Sequence, residues 1–147
     1  MSGVKQSLLG LLVACAFAAG ACSNSTDTTT TGTGTAPTAP VTTEQFAGTV
    51  PVGGNDVHSF IVAASNGTLT VTMTAAGPPA TITMGIGVGQ FVGGTCQLLS
   101  GGTVSMPAST TAQLSGVVNA GTYCLMIYDL RLNATVPITY AATVTHY

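Results

Sequence analysis

Gly67-Thr68-Leu69-Thr70-Val71-Thr72-Met73 places a threonine at every second position and an apolar side chain between each pair. A period of two is the signature of an extended strand with one face against a core and the other in water. The pattern recurs at 81–88, where Ile82, Met84, Ile86 and Val88 alternate with Thr81, Thr83, Gly85 and Gly87. Those partners are expected on the water side. Further strands are expected at Gln45–Val50, Val57–Val62, Thr95–Leu99, Ala112–Val118, Thr122–Tyr128 and Ile138–Thr145. Turn signals separate them: Gly53-Gly54-Asn55-Asp56, Ser65-Asn66-Gly67, Gly77-Pro78-Pro79, Gly93-Gly94, Gly101-Gly102, Asn119-Ala120-Gly121 and Asn133-Ala134. No segment carries an amphipathic helical pattern. About eight short strands at this spacing predict an all-β, antiparallel sandwich or barrel over residues 44–147.

Thr122–Tyr128 is apolar on both faces, with Tyr123, Leu125 and Ile127 on one and Cys124, Met126 and Tyr128 on the other. Such a strand belongs in the middle of a sheet, its second face covered by a neighbour. Cys96 and Cys124 are the only cysteines of this region. In an exported chain two cysteines most simply form one disulfide, and no C-x-x-C spacing points instead to metal or redox chemistry.

Export is read from the other end of the chain. Lys5 precedes an apolar stretch from Leu8 to Ala19 that ends in small residues, the pattern of a signal peptide. The stretch is well short of the roughly 20 residues needed to span a bilayer. Ala19-Gly20-Ala21-Cys22 resembles the lipobox of bacterial lipoproteins, in which the chain is cleaved before a cysteine that is then lipidated. Leu12-Val13-Ala14-Cys15 fits the lipobox letters better, but cleavage there would leave the apolar Ala16-Phe17-Ala18-Ala19 at the new N-terminus. Cleavage before Cys22 exposes Ser23-Asn24-Ser25, which water accepts, so Cys22 is the expected lipidation site and 1–21 the signal peptide. Ala19-Gly20-Ala21 also reads as an A-x-A secretory site, which would leave Cys22 as a free thiol. Residues 22–43 are rich in threonine, glycine and proline and too poor in apolar groups to order themselves. They read as a disordered tether, and about 20 such residues reach roughly 25 Å on average.

Four segments carry a family likeness: Gln45-Phe46-Ala47-Gly48-Thr49-Val50, Asp56-Val57-His58-Ser59-Phe60-Ile61-Val62, Gly67–Met73, and Ala120-Gly121-Thr122-Tyr123-Cys124-Leu125-Met126-Ile127-Tyr128. Together they resemble the bacterial pre-peptidase C-terminal domain. The resemblance implies a jelly-roll-like sandwich, usually appended to secreted peptidases as a non-catalytic domain. This chain departs from the pattern in standing alone behind an anchor. Gly77-Pro78-Pro79-Ala80-Thr81 also replaces the acidic residues that often follow the third strand, which removes support for the calcium site of some related collagen-binding domains.

The chain has two basic and four acidic residues. It offers no basic face for nucleic acid. The strongest catalytic candidate is Asp56-Val57-His58-Ser59, but adjacent strand residues point to opposite faces, so His58 and Ser59 cannot both face one substrate. Asp56 and His58 are expected to share the surface side and Ser59 the core side. His146, beside the C-terminus, is expected at an exposed strand end. Three carboxylates scattered over the domain supply no metal cluster, and neither metal nor cofactor is expected. Sugar recognition on a sandwich commonly uses exposed rings. Without tryptophan, the candidate ligand contacts are Phe91, Tyr128 and Tyr140, with Tyr147 at the C-terminus. Asn24, Asn66 and Asn133 begin Asn-x-Thr sequons that a bacterial lipoprotein would not use. Two functions are expected to compete: a non-catalytic lipoprotein presenting an interaction domain at the cell envelope, bound to the membrane through its lipid, and a glycan- or polymer-binding module serving a secreted hydrolase.

Overall fold

A computed structural model describes residues 39–130 and 134–147. Cys15, Cys22 and most of the tether region lie outside the described residues. Eight strands follow in order: β1 (Thr42–Val50), β2 (Asn55–Val62), β3 (Gly67–Gly77), β4 (Met84–Val92), β5 (Thr95–Met106), β6 (Leu114–Val118), β7 (Gly121–Asp129) and β8 (Ile138–His146). They form two antiparallel sheets, ordered β1-β8-β3-β6 and β2-β7-β4-β5. Consecutive strands alternate between the sheets except for the β4–β5 hairpin, which is the winding of an eight-stranded jelly roll. The all-β antiparallel fold expected from the period-two pattern is observed, and of sandwich and barrel it is the sandwich.

The alternation places the core. Leu69, Val71 and Met73 on β3, Met84, Ile86 and Val88 on β4, Leu125 and Ile127 on β7, and Ile138 and Val144 on β8 are all buried between the sheets. Each such side chain contributes about 1.5–3 kcal/mol by leaving water. The opposite parity forms the outer faces. On the first sheet the register aligns Thr43, Thr145, Thr70 and Ser115 in one row, and Gln45, Thr143 and Thr72 in the next. This face is wetted by hydroxyls and amides, with no charged side chain in either row.

The second sheet departs from simple alternation. Gly85 and Gly87, expected to face water, are buried. A Cβ on Gly85 would strike the ring of Tyr128, its direct partner on β7, and one on Gly87 would come 2.6 Å from Leu98. Side chains from the two flanking strands thus lie across a glycine trough on β4. Gly101-Gly102, expected to be a turn, lies within β5. Gly87 pairs with Thr103 and Gly89 with Leu98, so Leu99–Gly102 bulge out opposite Val88 alone. Gly101, at φ 74°, supplies the left-handed backbone the bulge needs.

Cys96 and Cys124 are bonded, as expected. They lie on β5 and β7, either side of β4, with Cα atoms 5.7 Å apart. Strands two places apart in a flat sheet would be separated by roughly 9.5 Å. The sheet therefore curls, bringing β5 towards β7. Gly89 permits the curl, because a Cβ there would collide with the Gln97 carbonyl.

Two loops are held by side chains acting as surrogate backbone. Asp129, buried at the end of β7, accepts hydrogen bonds from the Gly53 N–H (2.8 Å) and the Ala134 N–H (3.1 Å). Where β3 slips register after Met73, the Gln113 amide accepts from the Met73 N–H at 2.6 Å and donates to the Pro107 carbonyl at 2.8 Å.

Candidate functional site

β1 and β2 are edge strands of different sheets, and their inward side chains meet along one open side of the sandwich. From β1 come Glu44, Phe46 and Gly48; from β2 come Asp56, His58 and Phe60; β8 adds Tyr140 and His146. Both histidines of the chain and two of its four carboxylates gather here.

At one end Tyr140 Oη donates to Asp56 Oδ2 at 2.9 Å. A hydroxyl has one proton, so the 2.7 Å contact between His58 Nε2 and Tyr140 Oη requires the imidazole to be the donor, which sets its Nε2–H tautomer. His58 Nε2 also stands 3.4 Å from Asp56 Oδ2. Gly48, directly opposite Tyr140 on the ladder, makes this cluster possible. A Cβ there would collide with Asp56 Oδ2 and come within 3.0 Å of the phenol oxygen. Burial is the main reason the Tyr140 phenol is pushed well above its ordinary range; its hydrogen bond to Asp56 and the charge of that carboxylate add to the rise.

At the other end His146 is 2% exposed, and its Nε2 donates to Glu44 Oε1 at 3.0 Å. Its Nδ1 is buried without a hydrogen-bond partner. Rings fill the space between the two ends. Phe46 lies 5.0 Å from His58 and 6.3 Å from Phe60, and Phe60 stacks on His146 at 5.6 Å.

This arrangement corrects the sequence reading at three points. Asp56 and His58 share a face, but it is the inner one, continuous with Phe60 and Val62. Ser59 instead faces solvent. His146 is buried, not exposed. Asp56, His58 and Ser59 are therefore not brought together. The hydroxyl that does meet His58 and Asp56 is that of Tyr140, a candidate ring contact from the sequence that the fold buries at 4% exposure. Its phenol is held protonated by its surroundings, the opposite of what a nucleophile needs. Of the other ring candidates, Tyr128 is half-buried across Gly85, and Phe91 is half-buried near the end of β4, opposite Cys96. Tyr147 is half-buried against Gly67, and its carbonyl accepts from the Ala64 N–H. Among the described residues no group of three or more His, Cys, Asp or Glu side chains is placed to hold a metal ion.

Sequence reasoning missed Glu44 and Gly48 as members of this seam. The available signal was the parity of Glu44, Phe46, Gly48 and Val50, which share one face of β1.

No family model and no curated protein matches the chain. Among solved structures, the chain is similar to Aeromonas hydrophila PliG, a periplasmic lysozyme inhibitor of g-type lysozyme, at 16% identity and a TM-score of 0.45. The likeness covers 71% of this chain and 86% of that one.

Proposed function

We propose that this chain is a non-catalytic bacterial lipoprotein that presents a jelly-roll interaction domain, akin to the pre-peptidase C-terminal domain, at the cell envelope. The observation supporting the non-catalytic part is the seam itself. Its histidines, Asp56, Glu44 and Tyr140 are occupied in joining β1, β2 and β8. General acid–base catalysis needs a group free to exchange a proton with substrate, whereas these groups exchange hydrogen bonds with one another. Anchoring rests on the lipobox-like Ala19–Cys22 and the threonine-rich segment behind it. A glycan-binding role has less support, because Tyr140 is buried and Tyr128 lies flat on its own sheet.

Cys22→Ser should move the protein from the membrane to the soluble fraction, while Cys15→Ser should not. The reverse result would assign the anchor to Cys15. A panel of ester, peptide and glycoside substrates should show no turnover. Turnover lost in His58→Ala, with circular dichroism unchanged, would overturn the non-catalytic reading.

A further inference from the structure

The side of the sandwich opposite the aromatic seam is left open. There β6, the edge of the first sheet, faces the bulge of β5 across an apolar hollow of about 140 Å³. The hollow reaches down to the core side chains Leu69 and Val88 and is walled by Leu99, Leu114 and Val118. Apolar cavities of about 150 Å³ accept a molecule the size of benzene, so one aliphatic side chain fits.

The cause of the hollow is Gly116. It pairs directly with Leu69 and so shares Leu69's inward face. A Cβ at Gly116 would meet nothing within 4 Å. Its φ is not positive, so neither backbone conformation nor crowding requires glycine. Glycine inside a strand costs about 0.5–1 kcal/mol relative to alanine, and it often marks a place where another backbone approaches closely.

The far side of β6 pairs with no strand among the described residues, leaving alternating N–H and C=O groups open. Apart from its shortness, β6 carries none of the usual guards of an edge: no lysine, no proline, no inward charge. Val117 beside it is 71% exposed. From Gln90 to Thr122 there is no charged residue at all, so an ionic segment would find no counter-charge.

We infer that β6 and the Gly116 hollow receive an extended, uncharged segment of a partner polypeptide, which adds a strand to the first sheet and inserts one aliphatic side chain over Leu69. Only a peptide offers alternating donors and acceptors at strand spacing, and this mode of recognition takes affinity from the main chain and selectivity from such a pocket. The inference rests on the non-catalytic interaction role proposed above.

The test uses the full chain and capped heptapeptides of alternating threonine and valine, with glycine, alanine, valine, leucine or lysine at the centre. Binding is read by isothermal titration, and the site by amide hydrogen exchange. Central valine or leucine should bind best, lysine worst, and protection should rise on β6. Gly116→Val, which fills the hollow from within, should melt no lower than the parent and weaken binding at least about tenfold. Gly116→Ala should fall between. The inference is overturned if no peptide protects β6 or if Gly116→Val binds like the parent. It is also overturned if β6 is protected in a concentration-dependent manner without peptide, since a second copy would then occupy the edge. Hydrolytic turnover would sink the non-catalytic reading separately, whatever the peptides do.

Discussion

Replacing Gly48 with alanine tests whether the Asp56–His58–Tyr140 cluster holds the β1–β2 seam together. The new methyl group would occupy the position of Asp56 Oδ2 and crowd the Tyr140 oxygen at 3.0 Å. The carboxylate, partly exposed, can swing towards solvent, but the buried Tyr140 hydroxyl then loses its acceptor. An orphaned buried hydroxyl costs about 1–3 kcal/mol. Alanine returns about 0.4–1 kcal/mol by stiffening the unfolded chain. The net loss should be about 1–2 kcal/mol, or roughly 4–8 °C in Tm per kcal/mol for a domain near 100 residues. Urea and thermal unfolding would measure it. The decisive comparison is a double-mutant cycle with Asp56→Ala, which removes the colliding atom: the two losses should be strongly sub-additive. Full additivity, or a Gly48→Ala protein as stable as the parent, would refute the account of why glycine stands there.

The Tyr140 phenol should ionise well above the ordinary tyrosine range, and Asp56→Asn should lower the pH of that step, as followed by phenolate absorbance. Because folding raises this pKa, the stability it contributes is complete below the ordinary tyrosine range of about 10 and is lost as pH rises through the folded value. Breaking the Cys96–Cys124 bond should cost about 3.5 kcal/mol from loop closure across a separation of 28 residues. Urea titration of the Cys96→Ala/Cys124→Ala protein would measure that cost, and a loss under 1 kcal/mol would contradict it. Gln113→Leu should orphan the Met73 N–H, costing about 1–3 kcal/mol and speeding exchange of that amide. Unchanged exchange at Met73 would show that the side chain is dispensable.

Strand existence was legible because each strand's core-facing parity is written locally, as in Leu69, Val71 and Met73. The central place of β7 was legible for the same reason: both of its parities are apolar. The seam was not. Along Val57-His58-Ser59-Phe60-Ile61-Val62 both parities contain large apolar residues, so the sequence does not say which face of β2 turns inward. That is settled by β1 and β8, which come from the far ends of the domain. Gly85 and Gly87 looked like gaps on a wet face because the residues that cover them, Tyr128 and Leu98, belong to other strands. Gly101-Gly102 was read as a turn because a bulge and a turn make the same local demand on the backbone.

The hydroxyl-wetted rows on the first sheet carry a kinetic consequence. Both rows are uncharged, and the acidic side chains among the described residues, Glu44, Asp56 and Asp129, lie off that face, in the seam and at the end of β7. Such a face supplies no charge of its own to guide an approaching molecule. Its encounters should proceed at the unsteered rate of about 10⁵–10⁶ M⁻¹s⁻¹, nearly indifferent to ionic strength. A face that cannot draw its partner from a distance gains most from being held where the partner already is, which the proposed lipid tether would do by raising effective concentration without adding a single contact.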